Sequence, residues 1–263
     1  MNWEELTCPE FAEAVKRVGG VCLVPWGVLE KHGNHLPVGT DVIVARDVAR
    51  RAAAIEPAVV FPTLYFGQIS EGKHWPGAVA LPHRLMFDLL EGVCEEIARN
   101  GFKKIILLNG HGGNEGLLGV FAQSTLDRPR DYMVYPLRLA NYMGPVNADP
   151  AYKKQMVSSF DMHGGETETS TVLAVNQKLV KMDAITNDGL PTGRLAQLPV
   201  YTGISWYAEY PNHYAGEPAA ATVEKGEFLM TGYARNVARI IQAVKADAMA
   251  PKLVQEFYSR GKH

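Results

Sequence analysis

Residues 19–27, GGVCLVPWG, form a continuous apolar run closed by Pro and Gly, the pattern of a strand buried on both faces of a parallel sheet. Residues 41–55, DVIVARDVARRAAAI, then place apolar side chains at helical spacing, with Asp41 opening the segment. The alternation continues. Residues 58–67 read as a second strand, which Pro62 puts at an edge or an irregular start. Residues 82–101 read as an amphipathic helix closed by Asn100 and Gly101. Residues 103–110, KKIILLNG, are the clearest buried strand in the chain. A helix from Glu115 to about Thr125, a strand over 132–137, a helix beginning near Glu166 and a final helix over 223–248 complete the pattern. Strand and helix in turn predict an α/β fold, a mostly parallel sheet flanked by helices on both faces. Between 186 and 222 the periodicity fails, and Gly and Pro alternate with Tyr201, Trp206, Tyr207, Tyr210 and Tyr214. This segment is expected to be a long irregular loop, serving as a lid, a binding loop, a subunit contact or a surface excursion. With no repeat and no shift of composition, residues 1–263 are expected to form a single domain.

Composition narrows the function. Hydrophobic residues at 47% and charged residues at 21% are those of an ordinary globular chain. Lys and Arg number 26 against 28 Asp and Glu, so no broad basic field exists to hold a nucleic-acid backbone, and no nucleic-acid partner is expected. No apolar run approaches the roughly 20 residues of a membrane helix. The N-terminal segment lacks the apolar core of a signal peptide, and Cys8, Cys22 and Cys94 fit neither a disulfide framework nor a thiolate zinc site. A cytoplasmic protein without a membrane partner is the expectation.

The chemistry gathers after strands. GVLEKHGNHLPVGTD, residues 27–41, follows the first predicted strand and carries Glu30, His32, His35 and Asp41. NGHGGNEG, residues 109–116, follows the 103–110 strand and presents His111, and DMHGGETETS, residues 161–170, supplies His163, Glu166 and Glu168. A histidine beside glycine is by itself more often a turn residue than a ligand. Three such groups at strand ends, where ligands bind in open α/β sheets, form a pattern. Imidazole and carboxylate without cysteine suit Zn²⁺, Mn²⁺ or Fe²⁺, and a carboxylate between two imidazole-bearing loops can bridge two metals about 3.5–4 Å apart. Glu166 and Glu168 are about 200° apart on a helix, so only one can face the metals, and spacing does not say which. His35 is expected to be structural and His74 either structural or a substrate contact, while His83 and His213 have no supporting context.

These residues resemble the creatininase (creatinine amidohydrolase) family. PWGVLEKHGNHLPVGTD is similar to its Pro-x-Gly-x-x-Glu-x-His-Gly-x-His-Leu-Pro-x-x-Thr-Asp segment, LLNGHGGN to its second motif and HGGETETS to its His-Ala-Gly-Glu-x-Glu-Thr-Ser segment. The resemblance implies a creatininase-like α/β fold, often assembled as a homo-oligomer, a hexamer. It implies a hydrolase using two divalent metal ions to cleave a C–N amide bond of a small, cyclic or related amide. Glu30, Asp41 and His111 would hold one ion, and His32, the bridging Asp41 and Glu168 the other, with His163 as proton carrier. The choice of Glu168 over Glu166 comes from the family pattern. The chain departs from creatininase proper at Gly113, where that enzyme has a carboxylate, and at VSSF, where it has a tryptophan before the third-motif histidine. A formamide-cleaving pyrimidine deformylase and a peptide-maturing protease are similar to this chain in keeping Gly-Gly-Asn.

The expected reaction is amide hydrolysis of a small-molecule substrate without an organic cofactor, since the GxGxxG and GxxxxGK[ST] spacings are missing. A non-catalytic binding protein stabilised by a structural ion is the rival from another class. Structural zinc usually closes its shell with four ligands, often cysteines, and no cysteine lies in these motifs. A degenerate homologue would lack a ligand, and all five are intact. The aromatic segment around Trp206 and Tyr207 is expected to shape this pocket or a neighbouring subunit's.

Overall fold

A computed structural model describes residues 1–261. In chain order the elements begin with α1 (Cys8–Arg17), β1 (Val21–Trp26), α2 (Thr40–Ile55), β2 (Val59–Val60), α3 (His83–Arg99), β3 (Lys104–Asn109), α4 (Asn114–Ser124) and β4 (Met133–Leu137). Three single turns, α5 (Leu139–Tyr142), α6 (Gly144–Asn147) and α7 (Pro150–Lys153), lead to β5 (Asp161–His163) and α8 (Glu166–Asn176). The chain ends with α9 (Ser205–Glu209), β6 (Ala215–Gly216), α10 (Val223–Ala246) and α11 (Met249–Arg260). β2, β1, β3 and β4 form one parallel sheet in that order, and β5 pairs with β6 in a separate antiparallel ribbon. The expected α/β architecture stands.

The two-residue period of a strand divides the core between the faces of the sheet. Val21 and Leu23 of β1 and Ile106 and Leu108 of β3 pack with α2, α8 and α10. Cys22, Val24 and Trp26, with Ile105 and Leu107, pack with α1, α3 and α4. Helices therefore cover both faces, and both central strands are apolar almost throughout. The β1–β3 register pairs Trp26 with Asn109, so the two strands end side by side and their following loops leave from one edge.

Three expectations are corrected. The strand over 58–67 shortens to Val59–Val60, because the ladder there meets Pro25 of β1. The carbonyl of Pro25 faces this side and accepts from Leu64, but Pro25 has no N–H to return, and pairing lapses to a single Trp26–Leu64 bridge. The final helix stops at Ala246, since Asp247 turns extended (ψ 117°) and its carboxylate accepts from the amides of Met249 and Ala250, starting α11. The 186–222 segment is not structureless. It contains α9 and β6, and β6 is pinned by pairing with β5.

The end of α10 is held by a lysine. The Lys104 ammonium donates to the carbonyls of Val244, Lys245 and Asp247, each at 2.7 Å, at the helix end, where carbonyls gather and a positive charge is favoured. Lys104→Met is expected to lower stability by about 1.5–3 kcal/mol, the worth of hydrogen bonds to a charged group. Urea denaturation at equal slope measures this, and an unchanged midpoint contradicts it.

Candidate metal centre

The three motif loops meet at the carboxyl edge of the sheet. Glu30 and His32 lie in the loop after β1, Asp41 in the first turn of α2, His111 in the turn after β3, His163 at the end of β5 and Glu168 in the first turn of α8. Asp41 reaches the cluster because α2 begins against the end of β1. A Cβ on Gly27 would lie 2.6 Å from the amide nitrogen of Val42, so only glycine allows the approach. The first turns of α2 and α8 also suit carboxylates, since the unpaired N–H groups of a helix start favour negative charge.

The carboxylate of Asp41 stands between two imidazoles. Its Oδ2 is 2.9 Å from His111 Nδ1 and its Oδ1 is 3.2 Å from His32 Nε2. Glu30 Oε1 closes the first side at 2.8 Å from His111 Nδ1, and Glu168 Oε2 the second at 3.7 Å from His32 Nε2. Glu30 is 1% exposed, and His32, Asp41 and His111 are buried as well, while the Glu168 side chain is 32% exposed toward a cavity. His163 is buried beside them, its ring 4.1 Å from that of His32.

Backbone carbonyls fix which nitrogen of each imidazole faces inward. His111 Nε2 donates to the carbonyl of Gln68 at 2.8 Å, and a carbonyl can only accept, so the neutral ring turns a bare Nδ1 lone pair toward Glu30 and Asp41. His32 Nδ1 lies 3.3 Å from the Glu30 carbonyl, which leaves Nε2 facing Asp41 and Glu168. Acceptors thus face acceptors in a dry space. Glu30 Oε1, Asp41 Oδ2 and His32 Nε2 have no hydrogen-bond partner, and His111 Nδ1 stands close to two carboxylate oxygens. Only cations relieve such a set. In the metal-free chain protons do so: burial lowers both imidazoles, but Asp41, Glu168 and Glu30 push His32 up to about 10, and Glu30 and Asp41 push His111 well above its ordinary value. Burial would raise Glu30, yet the charges of His111 and His163 hold it well below the usual carboxylate range. Burial raises Glu168 to about 7; the His32 charge opposes the rise, and the Asp41 charge adds to it. A donor set of carboxylate and imidazole, with orphaned atoms at its centre, fits divalent Zn, Mn or Fe.

α8 resolves what spacing left open. Glu166 turns away and is fully buried against the Lys225 ammonium, accepting also from the amides of Ser158 at 2.7 Å and Val157 at 3.0 Å. Burial would raise its pKa, but Lys225 and these amides bring it below the ordinary value. Glu168, on the opposite side of the helix, accepts from Gly164 N at 2.6 Å and faces His32. His35 is structural, its Nε2 2.9 Å from Thr169 Oγ1 and its pKa lowered to about 4 by burial. His74 stays exposed near Tyr207, and His83 meets Gln68 Oε1 at 3.3 Å. His213, for which the sequence offered no context, is the residue missed: it is buried with Nε2 2.6 Å from Glu30 Oε2. No spacing signals it, because it comes from a segment 183 residues away; only the crowding of aromatic residues around it hinted at a wall.

A cavity of about 450 Å³ opens over the cluster, with Gln68, Glu71, Met162, Tyr201 and Trp206 on its walls. Among the described residues no lysine or arginine lines it. Trp206 shapes this cavity as expected, whereas Tyr207 packs beneath Arg194.

The family model described as "Creatininase: Creatinine amidohydrolase" matches residues 4–241. The chain is 29% identical to the creatinine amidohydrolase of Pseudomonas putida over 90% of its own length and 95% of the relative's. It is 31% identical to the mycofactocin precursor peptide peptidase of Mycolicibacterium smegmatis over 78% of its length and 77% of the relative's. Solved creatininases include a Zn-Zn form and an Mn form, each 25% identical with a TM-score of 0.80, covering 94% of this chain and 98% and 99% of theirs.

The two glutamates of α8 are expected to behave oppositely in the metal-free chain. Glu166→Gln leaves Lys225 buried without its counter-charge and costs about 3–5 kcal/mol. Glu168→Gln removes one of three crowded carboxylates, so its denaturation midpoint stays level or rises. Equal losses in both variants contradict this division.

Proposed function

The chain belongs to the creatininase family, and from that premise we propose that Glu30, Asp41 and His111 hold one divalent cation and His32, Asp41 and Glu168 a second, over which a small amide is hydrolysed. Membership makes it a metal-dependent amidohydrolase. The Zn-Zn and Mn forms of its solved relatives support Zn²⁺ or Mn²⁺, and Fe²⁺ suits the same donors. The observation that carries the residue assignment is the opposition of unpaired acceptors around Asp41, with both inward imidazole atoms set by backbone carbonyls, of Gln68 and of Glu30. Such outer partners are what orient metal-binding histidines.

When bound, a pair of divalent cations supplies Lewis acidity for the amide carbonyl and a water acidified to near neutrality. The chain's own residues position and move protons. His163 donates its Nε2–H to the carbonyl of Lys31 at 2.8 Å, which leaves the Nδ1 lone pair on a ring lining the cavity. Burial and the neighbouring His32 charge lower its pKa to about 3 without metal, so the ring rests neutral, with a lone pair that can take a proton from the attacking water and pass it to the amine leaving group. Met162, Trp206 and Tyr201 line the cavity with apolar surface, and Gln68 and Glu71 offer polar atoms.

The cavity takes a small molecule, and its walls carry carboxylates, histidines and the Gln68 amide but no lysine or arginine to pair with an anionic group. Creatinine itself is disfavoured. The position of the carboxylate expected in creatininase proper is Gly113, and a Cβ there would fall 2.5 Å from His111 Nε2 and 2.7 Å from the Gln68 carbonyl. We propose further that residues 1–263 act as one domain in the cytoplasm, where its three free thiols stay reduced, and as a homo-oligomer. Exposed Val200, Tyr201 (81%) and Ile204 beside the cavity support the assembly, a hexamer in the family resemblance. No helix among the described residues is long and apolar enough to cross a membrane.

Two outcomes test the reading. Asp41→Asn is expected to reduce bound metal below two ions per chain and bring turnover near background, with the melting temperature little changed; full activity refutes the bridge. Stripping the protein with a chelator should leave it folded, and Mn²⁺ or Zn²⁺ should restore hydrolysis in a screen of cyclic amides, formamides and short peptides. Loss of fold on stripping would favour a structural ion.

A further inference from the structure

Glu30 offers two carboxylate oxygens, and only Oε1 faces Asp41 and His111. Oε2 points the other way, to His213 Nε2 at 2.6 Å, and both side chains are buried. The proton in this contact can be located. Trp206 Nε1 lies 3.2 Å from His213 Nδ1, and an indole nitrogen only donates, so Nδ1 accepts and Nε2 carries the hydrogen. His213 therefore donates to Glu30, through a tautomer set by Trp206.

The backbone points the same way. His213 is the one non-glycine among the described residues in the left-handed region, with φ 51°. Such a conformation persists where the surroundings hold it, and often where a side chain must be aimed. The surroundings here are the motif loop itself, since Gly33 N reaches the His213 carbonyl at 3.5 Å, and the ring of His163, 4.9 Å away and nearly perpendicular. Trp206 in turn walls the substrate cavity.

We propose that His213 is a positioning residue for the Glu30 cation: it holds Oε2, so that Oε1 stays aimed between Asp41 and His111, and Trp206 locks the imidazole that does so. The inference rests on the two-cation reading above. It makes the segment around α9 and β6 part of the metal centre and joins the cavity wall to a ligand in one line. It also makes the two cation positions unequal, because Glu168 on the other side is held by the Gly164 amide and not by this segment.

The test is a titration of the chelator-stripped chain with Mn²⁺ by calorimetry, and with Co²⁺ by visible absorption. The parent takes up two ions tightly. His213→Asn keeps a side chain that tolerates the left-handed backbone but cannot reach Glu30. It is expected to keep one tight ion and bind the other about 10–100-fold more weakly, the usual cost of losing an outer partner. His213→Gln restores an N–H at that reach and recovers most of the affinity. Trp206→Phe keeps an aromatic wall, frees the tautomer and weakens the same ion, and it carries the test should H213N not fold. Parental affinity for both ions in H213N, or in W206F, overturns the proposal. So does equal weakening of both ions in H213N and H213Q alike, which marks a general packing role. A parent chain that takes up no pair of ions overturns instead the two-cation reading on which this rests.

Discussion

Three carboxylates and the lone pairs of two imidazoles share a nearly dry space at the edge of the sheet, and the N–H groups that could have paired with them are spent on carbonyls outside. Acceptors packed against acceptors repel, and burial removes the water that would otherwise screen them. The arrangement is tolerable only with positive charge at its centre. Protons can supply it in part, which is why His32 rises to about 10 without metal. Two divalent ions around Asp41, as proposed, would supply it more completely, and the arrangement of the strand ends and helix starts serves to bring these groups together.

The fold meets that need by ending β1 and β3 side by side, with Trp26 level with Asn109. Loops leaving that edge carry Glu30, His32 and His111, and the opening turns of α2 and α8 bring Asp41 and Glu168 to it, their helix dipoles favouring the carboxylates. Gly27 lets α2 close on the strand end, and the buried Glu166–Lys225 pair anchors α8 to α10 from the far side. One helix thus uses its two glutamates for different ends. The first secures packing, the second faces His32 across the proposed cation site.

Much of this was legible in the sequence because it is local. Unbroken apolar runs identify β1 and β3, whose burial on both faces permits no polar interruption, and the motif loops follow them directly, so the convergence of Glu30, His32, Asp41 and His111 needed only the general geometry of a parallel sheet. The resemblance to creatininases supplied the choice of Glu168, which a 200° separation could not. What stayed hidden depends on partners distant in sequence. β2 shortens because Pro25 of another strand cannot donate to it. β6 forms only by pairing with β5, and His213 has meaning only beside Glu30, 183 residues earlier. Neither leaves a periodic trace.

A pair of cations sharing the Asp41 carboxylate is the arrangement proposed for this site. Anomalous diffraction from crystals grown with Mn²⁺ tests it most directly. Two peaks roughly 3.5–4 Å apart are expected, one against Glu30 and His111 and the other against His32 and Glu168. A single peak, or ions bound away from Asp41, contradicts it.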